Sequence, residues 1–532
     1  MSLIATLARL EAVATGRAQP AATVRHRRLS DRPLVFVPLT TAGETGAPLG
    51  ALVGTDRDAP RLLVVPQPRD RDQRFAFLAE LADIVLPHLD SFAEAVEKAE
   101  RTDTDPETGK RVKVEVDLCV DAPQIVVPSR AGLDLVRLLG RSMRFRRTAE
   151  QEPETPYPAP PRVPLLGRWL THYGERSRVP GSSLLLALTD VLSRHWATGQ
   201  STVEDQHLGA LLAWIDPPGG ESGAEAAARA ERERDAAGQL LCPPAGPATD
   251  PAFDNKLLAP AIERYDRART ALAAAEDAPR AEDLLTALTA AERDIRELVE
   301  SRTRPTWDAV WRGLDLLRTL PEGGHVEERW TRDRWSFTAH RDRITAGEPP
   351  QPRRDDAVTA ANKLAGRERE QARLEAQEAL DDPLVMAARR LAGEAFAGEV
   401  TEVVMAYSEG KRPSPRPLVT VRTEDRPHLG ERAKVYRALN GKAQTAEFAG
   451  YEGAPEDGVL ALRIMDKMGR GKEPEPGSLP EKGDAVCFTL FEHEQRGGAK
   501  LPDPEQTPWT HGGPPGEPVA EIPDAVTEED VL

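Results

Sequence analysis

The spacing of hydrophobic residues changes several times along the chain, and each spacing predicts a different kind of element. Over residues 1–148, apolar residues at helical spacing alternate with short β-rich runs, which predicts an α/β domain. Valine alternates with charged residues over 111–120, which predicts a strand with one buried and one solvated face. The predicted elements of this domain are an opening amphipathic helix and the segments 33–39, 49–53, 61–65, 72–96, 111–120, 124–127 and 131–142.

The middle of the chain has a helical pattern. Residues 149–164 hold six prolines, and we expect them to form an extended linker. Residues 165–324 show only helical periodicity and predict a helical domain. Residues 325–398 combine a segment rich in tryptophan and arginine with a long polar helix at 355–380, followed by a second helix that Asp382 caps. We expect the polar helix to be a solvated stalk or a two-helix coiled-coil arm.

From residue 399 the period of the pattern falls to two. Five or six short strands separated by glycine turns predict a small β-barrel over 399–500. Residues 501–532 hold eight carboxylates and no lysine or arginine, so we expect a disordered acidic tail. The whole sequence therefore predicts a multidomain α+β protein with an N-terminal α/β domain, a central helical domain, a polar stalk helix, a C-terminal barrel and this tail.

Composition narrows the class of protein. The 532 residues carry a net charge of −17, and no apolar run is long enough to cross a membrane. Three separated cysteines cannot form a disulfide framework or a zinc knuckle, so we expect a cytoplasmic protein without a cofactor. Only 12 of the 70 basic residues are lysine, which is typical of a GC-rich bacterial genome. Arginine is therefore the default surface cation in this chain.

Several common enzyme motifs are missing. Each of the three Gly-Lys pairs, which begin at Gly109, Gly441 and Gly471, lacks the Ser or Thr that completes a phosphate-binding loop. No G-x-G-x-x-G opens a helix after a strand, and neither a G-x-S-x-G elbow nor an H-E-x-x-H motif is present. These absences disfavour an ordinary ATPase, dehydrogenase, serine hydrolase or zinc protease.

One group of charged residues has the chemistry of a metal-dependent nuclease. Lys113, Glu115 and Asp117 lie on the same face of the predicted strand 111–120. Carboxylates beside a lysine can bind magnesium and activate water for hydrolysis. The alternative is a solvated strand face, since strict alternation alone places charges there.

A second group contains residue types that bind metals. His195, Glu204, Asp205 and His207 flank a short loop, although their spacing matches no known metal motif. The alternative is a capping box, in which Ser201 and Glu204 begin a helix, together with one exposed histidine.

The C-terminal third contains a basic stripe, which we define as residues 411–442. It has nine lysines or arginines against three carboxylates, and Tyr407 and Tyr436 lie beside or within it. A positive barrel face with aromatic side chains can hold single-stranded nucleic acid without sequence preference, and an ordinary arginine-rich surface is the alternative. The candidate binding residues are Lys411, Arg412, Arg416, Arg422, Arg426, Arg432, Lys434, Tyr436, Arg437 and Lys442.

Trp330, Trp335 and Phe337 lie among seven arginines within residues 325–354. These aromatic side chains could stack on bases, or they could anchor a helical core. We favour the core, because large aromatic side chains at this spacing are mostly buried.

A long charged helix, a small barrel containing Gly483–Asp484 before its last strand, and a proline-rich exit over 507–513 follow one another. This order resembles the stalk-and-barrel accessory region of superfamily 1 helicases, over about residues 355–513. No helicase motor follows the barrel in the sequence, so the resemblance implies an accessory module.

We therefore expect a non-catalytic accessory or adaptor protein. Its partners would be single-stranded nucleic acid and a separately encoded helicase or nuclease, in bacterial defence or repair, with no membrane. Two alternatives stay open, which are a metal-dependent nuclease in the N-terminal domain and a purely structural scaffold for protein interactions.

Overall fold

A computed structural model of the protein describes residues 3–104, 109–275, 278–409, 413–469, 471 and 473–494. Lys411 and Arg412 of the basic stripe, and the acidic tail at 501–532, lie outside the described residues. The fold is mixed α+β and has a closed six-stranded β-barrel near the C-terminus. The prediction of a barrel after residue 399 is therefore confirmed.

Among the described residues, helices and strands are mixed up to residue 197, helices alone follow up to residue 391, and strands dominate after that. The helices are α1 (Leu3–Thr15), α2 (Arg71–Ala93), α3 (Arg130–Met143), α4 (Val163–Arg176), α5 (Leu188–His195), α6 (Leu208–Ile215), α7 (Gly223–Arg232), α8 (Pro251–Phe253), α9 (Ala259–Ala273), α10 (Ala278–Arg318), α11 (Val326–Thr345), α12 (Ala357–Asp381) and α13 (Pro383–Leu391). The strands are β1 (Gln19–Pro20), β2 (Leu34–Thr41), β3 (Glu44–Gly54), β4 (Arg61–Val64), β5 (Val96–Thr104), β6 (Arg111–Cys119), β7 (Ile125–Val127), β8 (Leu185–Ala187), β9 (Trp196–Ala197), β10 (Ala395–Val404), β11 (Leu418–Thr423), β12 (Lys434–Leu439), β13 (Lys442–Tyr451), β14 (Val459–Ile464) and β15 (Ala485–Thr489).

The central sheet has five strands in the order β4–β3–β2–β7–β8. β3 pairs antiparallel with β2 and β4, whereas β7 runs parallel to β2 and β8. β8 lies within 165–324, where the sequence predicts helices alone, so that prediction is wrong at Leu185–Ala187. Three consecutive buried apolar residues show no period that distinguishes a strand from a helix.

Helices cover both faces of this sheet. Alternate side chains of β2 point to opposite layers: Leu34 packs with α2, α3, α4 and α11, and Val35 packs with α5, α6 and α10. Trp330 and Phe337 of α11 are 3% and 0% exposed in the first layer. Their interpretation as core anchors is therefore confirmed.

β5 and β6 form a separate two-stranded antiparallel ribbon. The sequence predicts that its valine face is buried, but Val112 and Val114 are 40% and 37% exposed. Burial begins only at the base of the ribbon, at Leu118 and Cys119. The half-buried interpretation is therefore wrong for most of β6, because the ribbon extends beyond the residues that could cover it.

α12 is not solvated along its whole length. Its C-terminal third has buried side chains, including Leu374 and the polar Gln377 and Glu378. Gln377 accepts a hydrogen bond from Arg329 of α11, and Glu378 pairs with Arg194 of α5. This end of the predicted stalk therefore packs on the helices that surround the central sheet, because its buried polar side chains find charged partners there.

The barrel follows α13 and closes in the order β10–β11–β14–β13–β12–β15, with every neighbouring pair antiparallel. Apolar side chains form most of its interior. The side chains of this core are Phe396, Val400, Val419, Val421, Val435, Ala446, Phe448, Leu460, Leu462, Ile464, Met468, Val486 and Phe488.

Candidate functional site

The alternation of side chains along each barrel strand decides which residues of the basic stripe reach the surface. On β11, Val419 and Val421 fill the interior, so Leu418 and Arg422 point outward. Four cations of the stripe are exposed and form no ion pair or side-chain hydrogen bond within the described part of the chain. These are Arg422, Arg426, Lys434 and Lys442.

Arg437 has a different position. It has the same parity on β12 as the buried Val435, and it lies opposite the fully buried Gln444 of β13. Its guanidinium donates to Gln444 Oε1 at 2.7 Å and to the Ser478 carbonyl at 3.1 Å. Arg437 therefore lies at the end of the barrel interior near the β12–β13 turn. The sequence predicts that it belongs to an outer binding face, and that prediction is wrong.

Two further members of the stripe are engaged with carboxylates. Arg432 pairs with Glu447 at 3.0 Å. The hydroxyl of Tyr436 donates to Glu492 Oε1 at 3.1 Å. Partial burial and this hydrogen bond raise the pKa of Tyr436 to about 12, so the phenol stays protonated at neutral pH. Neither residue is free to contact a ligand without losing its partner.

Carboxylates from other strands also lie beside the cations that remain. Glu399 of β10 is directly opposite Arg422 of β11. Glu447 of β13 is directly opposite Arg463 of β14 and is already shared with Arg432. The positive excess of the linear stripe is therefore partly balanced on the folded surface, because strands distant in sequence supply the acids.

A different cluster combines aromatic, apolar and cationic side chains. We define the hairpin patch as Val404, Met405, Tyr407, Arg416 and Arg463. Val404, Met405 and Tyr407 are 47%, 43% and 50% exposed, which is unusual for three large side chains within four residues.

Backbone pairing places the members of the hairpin patch on the β10–β11 hairpin and on the neighbouring strand β14. The Arg416 N–H donates to the Ala406 carbonyl at 2.7 Å, which extends the β10–β11 hairpin beyond its strands. In the ladder, Leu418 of β11 lies between Val404 of β10 and Arg463 of β14. Sequence reasoning missed Arg463 because it lies outside the stripe, and only its register with Leu418 brings it to this surface.

The charged face of the β5–β6 ribbon does not have the geometry of a nuclease centre. Asp117 pairs with Lys98 of β5 at 2.7 Å, Glu115 lies 3.9 Å from the same ammonium, and Lys113 pairs with Glu100 at 2.6 Å. Half or more of the side-chain surface of Glu115 and Asp117 is exposed. These residues form cross-strand ion pairs on a solvated face, and within the described part of the chain the carboxylates of this face do not form a group that could hold a metal ion.

The second candidate cluster is divided among structural roles. Ser201 and Glu204 form the capping box, with the Ser201 N–H donating to Glu204 at 2.7 Å. His207 Nδ1 accepts the Ala210 N–H at 3.2 Å and caps α6. His195 is 1% exposed, and its Nδ1 is hydrogen-bonded to the Val191 carbonyl inside the helical layer. Burial lowers the pKa of His195 to about 4.

Within the described residues, no three His, Cys, Asp or Glu side chains converge in a way that could hold a metal ion. In the same residues, no helix has both the length and the apolar character needed to cross a bilayer. Comparisons with protein-family models, curated proteins and solved structures give no significant match to this chain. The hairpin patch is therefore the candidate site, on the strength of its own geometry.

Proposed function

We propose that this protein is a non-catalytic, nucleic-acid-associated accessory or adaptor protein, and that the hairpin patch of its barrel binds single strands. The observation that carries the proposal is the exposed Tyr407 at the end of the β10–β11 hairpin, which also carries Arg416, while Arg463 lies on the neighbouring strand β14. A tyrosine ring can stack on any base, and neighbouring guanidinium groups can contact phosphates or stack in turn.

The surroundings of the patch support this choice of ligand. The chain carries a net charge of −17, so the exposed cations of the barrel contrast with the overall charge of the protein. Lys411 and Arg412, which lie outside the described residues, follow Tyr407 closely in the sequence and add two positive charges to this part of the chain. Binding through a few phosphate contacts and one or two stacked bases predicts weak, salt-sensitive affinity without base preference.

The adaptor part of the proposal concerns a protein partner. The stalk-and-barrel order of residues 355–513 resembles the accessory region of superfamily 1 helicases, and the chain lacks the common ATPase motif. We therefore propose a separately encoded helicase or nuclease as the partner that performs chemistry on the bound strand. This step rests on the resemblance alone.

The direct test is binding of the full chain to a fluorescently labelled oligothymidylate or oligouridylate of about 20 nucleotides, measured by anisotropy at several salt concentrations. Tyr407→Ala removes a stacking platform and should weaken binding by about tenfold. Arg463→Ala should lower both the affinity and the slope of affinity against salt, by about one phosphate contact.

Arg57→Ala is the matched control. Arg57 pairs with Asp315 on the helical body, is about half exposed, and belongs to no part of the barrel. The control should leave affinity unchanged. If the wild-type chain does not bind at about 50 mM salt, or if Tyr407→Ala and Arg463→Ala bind like the wild type, the nucleic-acid proposal is wrong.

A further inference from the structure

One edge of the β5–β6 ribbon is open. No strand among the described residues pairs with β6 on the side away from β5. α11 bonds to that side at the base of the ribbon, where the Cys119 N–H donates to Thr338 Oγ1 at 3.1 Å and the Cys119 carbonyl accepts from Arg334 Nε at 2.9 Å. Toward the tip, the first five residues of β6 are all exposed.

The contacts of Cys119 also show which backbone groups point outward. Alternate residues of an antiparallel strand direct their N–H and C=O groups to the same side. Because Cys119 directs both groups away from β5, the other odd-numbered residues of β6 do the same. Arg111, Lys113, Glu115 and Asp117 therefore present a row of unpaired donors and acceptors, which is a template for another strand.

The sequence of β6 is complementary to itself in antiparallel register. A two-fold axis at Val114 places Arg111 opposite Asp117 of a second copy, and Lys113 opposite Glu115 of that copy. These are the odd-numbered residues, so each pair can exchange two N–H···O=C bonds. We propose that two copies of this chain associate by pairing their β6 strands, which forms a four-stranded sheet across the two ribbons.

The charged face gains from this register. Within one ribbon, Glu115 lies directly opposite Glu100, and like charges in that position are destabilising. In the paired form, Lys113 of the second copy lies on the other side of Glu115 and offsets this repulsion. Arg111 of the second copy adds a similar cation beside Asp117, which pairs with Lys98 within one ribbon.

The opposite face gains by burying valine. Val114 lies against Val114 of the second copy, and Val112 lies against Val116. Val112 and Val114 are 40% and 37% exposed in the single chain, so their pairing removes apolar surface from water. Side chains of non-hydrogen-bonded pairs are the closest across an antiparallel ladder, and these even-numbered residues occupy those positions.

The contact between the two β6 strands is small, so we expect the association to be weak. Seven residues on each strand span only about 24 Å. A contact between two such strands buries less surface than a standard stable protein interface, which buries about 1,600 Å². The association is therefore expected to depend on concentration, with a dissociation constant in the micromolar range, as a rough estimate for a small interface. Because the register is antiparallel, the two helical bodies lie at opposite ends of the joined ribbons.

The test is the mass of the full chain in solution, measured by sedimentation velocity over a concentration series. The wild type should shift with concentration from 58.1 kDa toward twice that value. Lys113→Glu places like charges opposite each other twice in the dimer and should raise the dissociation constant by at least about tenfold. The double variant Lys113→Glu/Glu115→Lys exchanges the charges and should restore association.

Two further variants separate pairing from damage to the ribbon. Glu115→Pro removes an N–H that points away from β5, so it should block association and leave the β5–β6 ladder intact. Lys98→Glu makes the same charge change on β5, outside the proposed contact, and should associate like the wild type. A chain that stays monomeric up to about 200 µM overturns the proposal at this affinity scale, as does association that survives both Lys113→Glu and Glu115→Pro.

Discussion

Asp382 should contribute more to stability than an ordinary helix cap, because it joins three parts of the fold. It is 1% exposed and lies between α12 and α13. Its carboxylate accepts the Leu384 N–H at 2.9 Å, the Thr23 N–H at 2.7 Å and the Thr23 hydroxyl at 2.9 Å. His26 Nε2 lies 3.4 Å from the same group.

The cost of Asp382→Ala follows from these contacts. Loss of the cap on α13 costs about 1 kcal/mol. Thr23 is itself exposed to water, so each of its two hydrogen bonds to Asp382 is worth the net value of an ordinary hydrogen bond, about 1 kcal/mol. We therefore expect the free energy of unfolding to fall by about 3 kcal/mol. Asp382→Asn keeps an acceptor oxygen at the cap and should lose about half as much.

The assay is urea unfolding at neutral pH followed by tryptophan fluorescence, in which the stability change moves the midpoint while the slope stays constant. Asp355→Ala is the matched control, since Asp355 pairs with Lys363 at the exposed beginning of α12. It should change stability by less than about 0.5 kcal/mol. A change below about 1 kcal/mol for Asp382→Ala would show that Thr23 and α13 find other partners. It would refute the stability contribution assigned here to the hydrogen bonds of Asp382.

Three other results are expected. Burial, with the nearby Arg343, lowers the pKa of His340 to about 3. The free energy of unfolding should therefore decrease as the pH falls from about 6.5 toward 3. His340→Phe should make the free energy of unfolding depend less on pH, as measured by unfolding at a series of acidic pH values. Trp307→Ala removes a fully buried side chain from the layer beneath the sheet and should cost about 3–5 kcal/mol in urea unfolding, whereas Trp335→Ala, at a half-buried site, should cost less. If the acidic tail competes with nucleic acid for the barrel, deleting residues 514–532 should tighten oligonucleotide binding at low salt, and this gain in affinity should shrink as the salt concentration rises. Unchanged affinity at low salt would leave the tail only a solubilising role.

Local periodicity was sufficient to predict much of the fold. The change to period two after residue 399 predicts the barrel, since strands with one face toward a core must alternate. The cap at Asp382 and the capping box at Ser201 are local devices whose partners lie within three residues, and both are present. Trp330 could be placed in a core because a large apolar side chain is costly to leave in water.

Positions that depend on distant partners could not be predicted in this way. β8 is too short to show a period, and its parallel pairing with β7 joins residues about 60 positions apart. Arg437 follows the inward parity of β12, yet its charge suggests a surface position until Gln444 and the Ser478 carbonyl are seen beside it. Exposure of the β6 valines likewise depends on which helices reach the ribbon.

The charge of the barrel surface also depends on residues that are distant in the sequence, so it could not be predicted from the sequence alone. Counting charges along 411–442 finds a positive excess, but a barrel places strands beside one another that are far apart in sequence. Glu399 and Glu447 therefore balance cations that they do not neighbour in the chain. The hairpin patch gains Arg463 by the same mechanism. A linear stripe is thus a poor guide to the charge of a barrel face, while register between neighbouring strands decides it.

The two proposed surfaces lie on different parts of the molecule, and one would strengthen the other. A pair of chains joined through β6 carries two hairpin patches, so a strand long enough to reach both is bound at the second patch intramolecularly. The effective concentration for such a second step can reach about millimolar, which exceeds typical protein concentrations in a binding assay. Weak patches would then hold a long strand far more tightly than a short one. Lys113→Glu should remove this dependence on strand length and leave the affinity for a short oligonucleotide unchanged, whereas Tyr407→Ala should weaken binding to both.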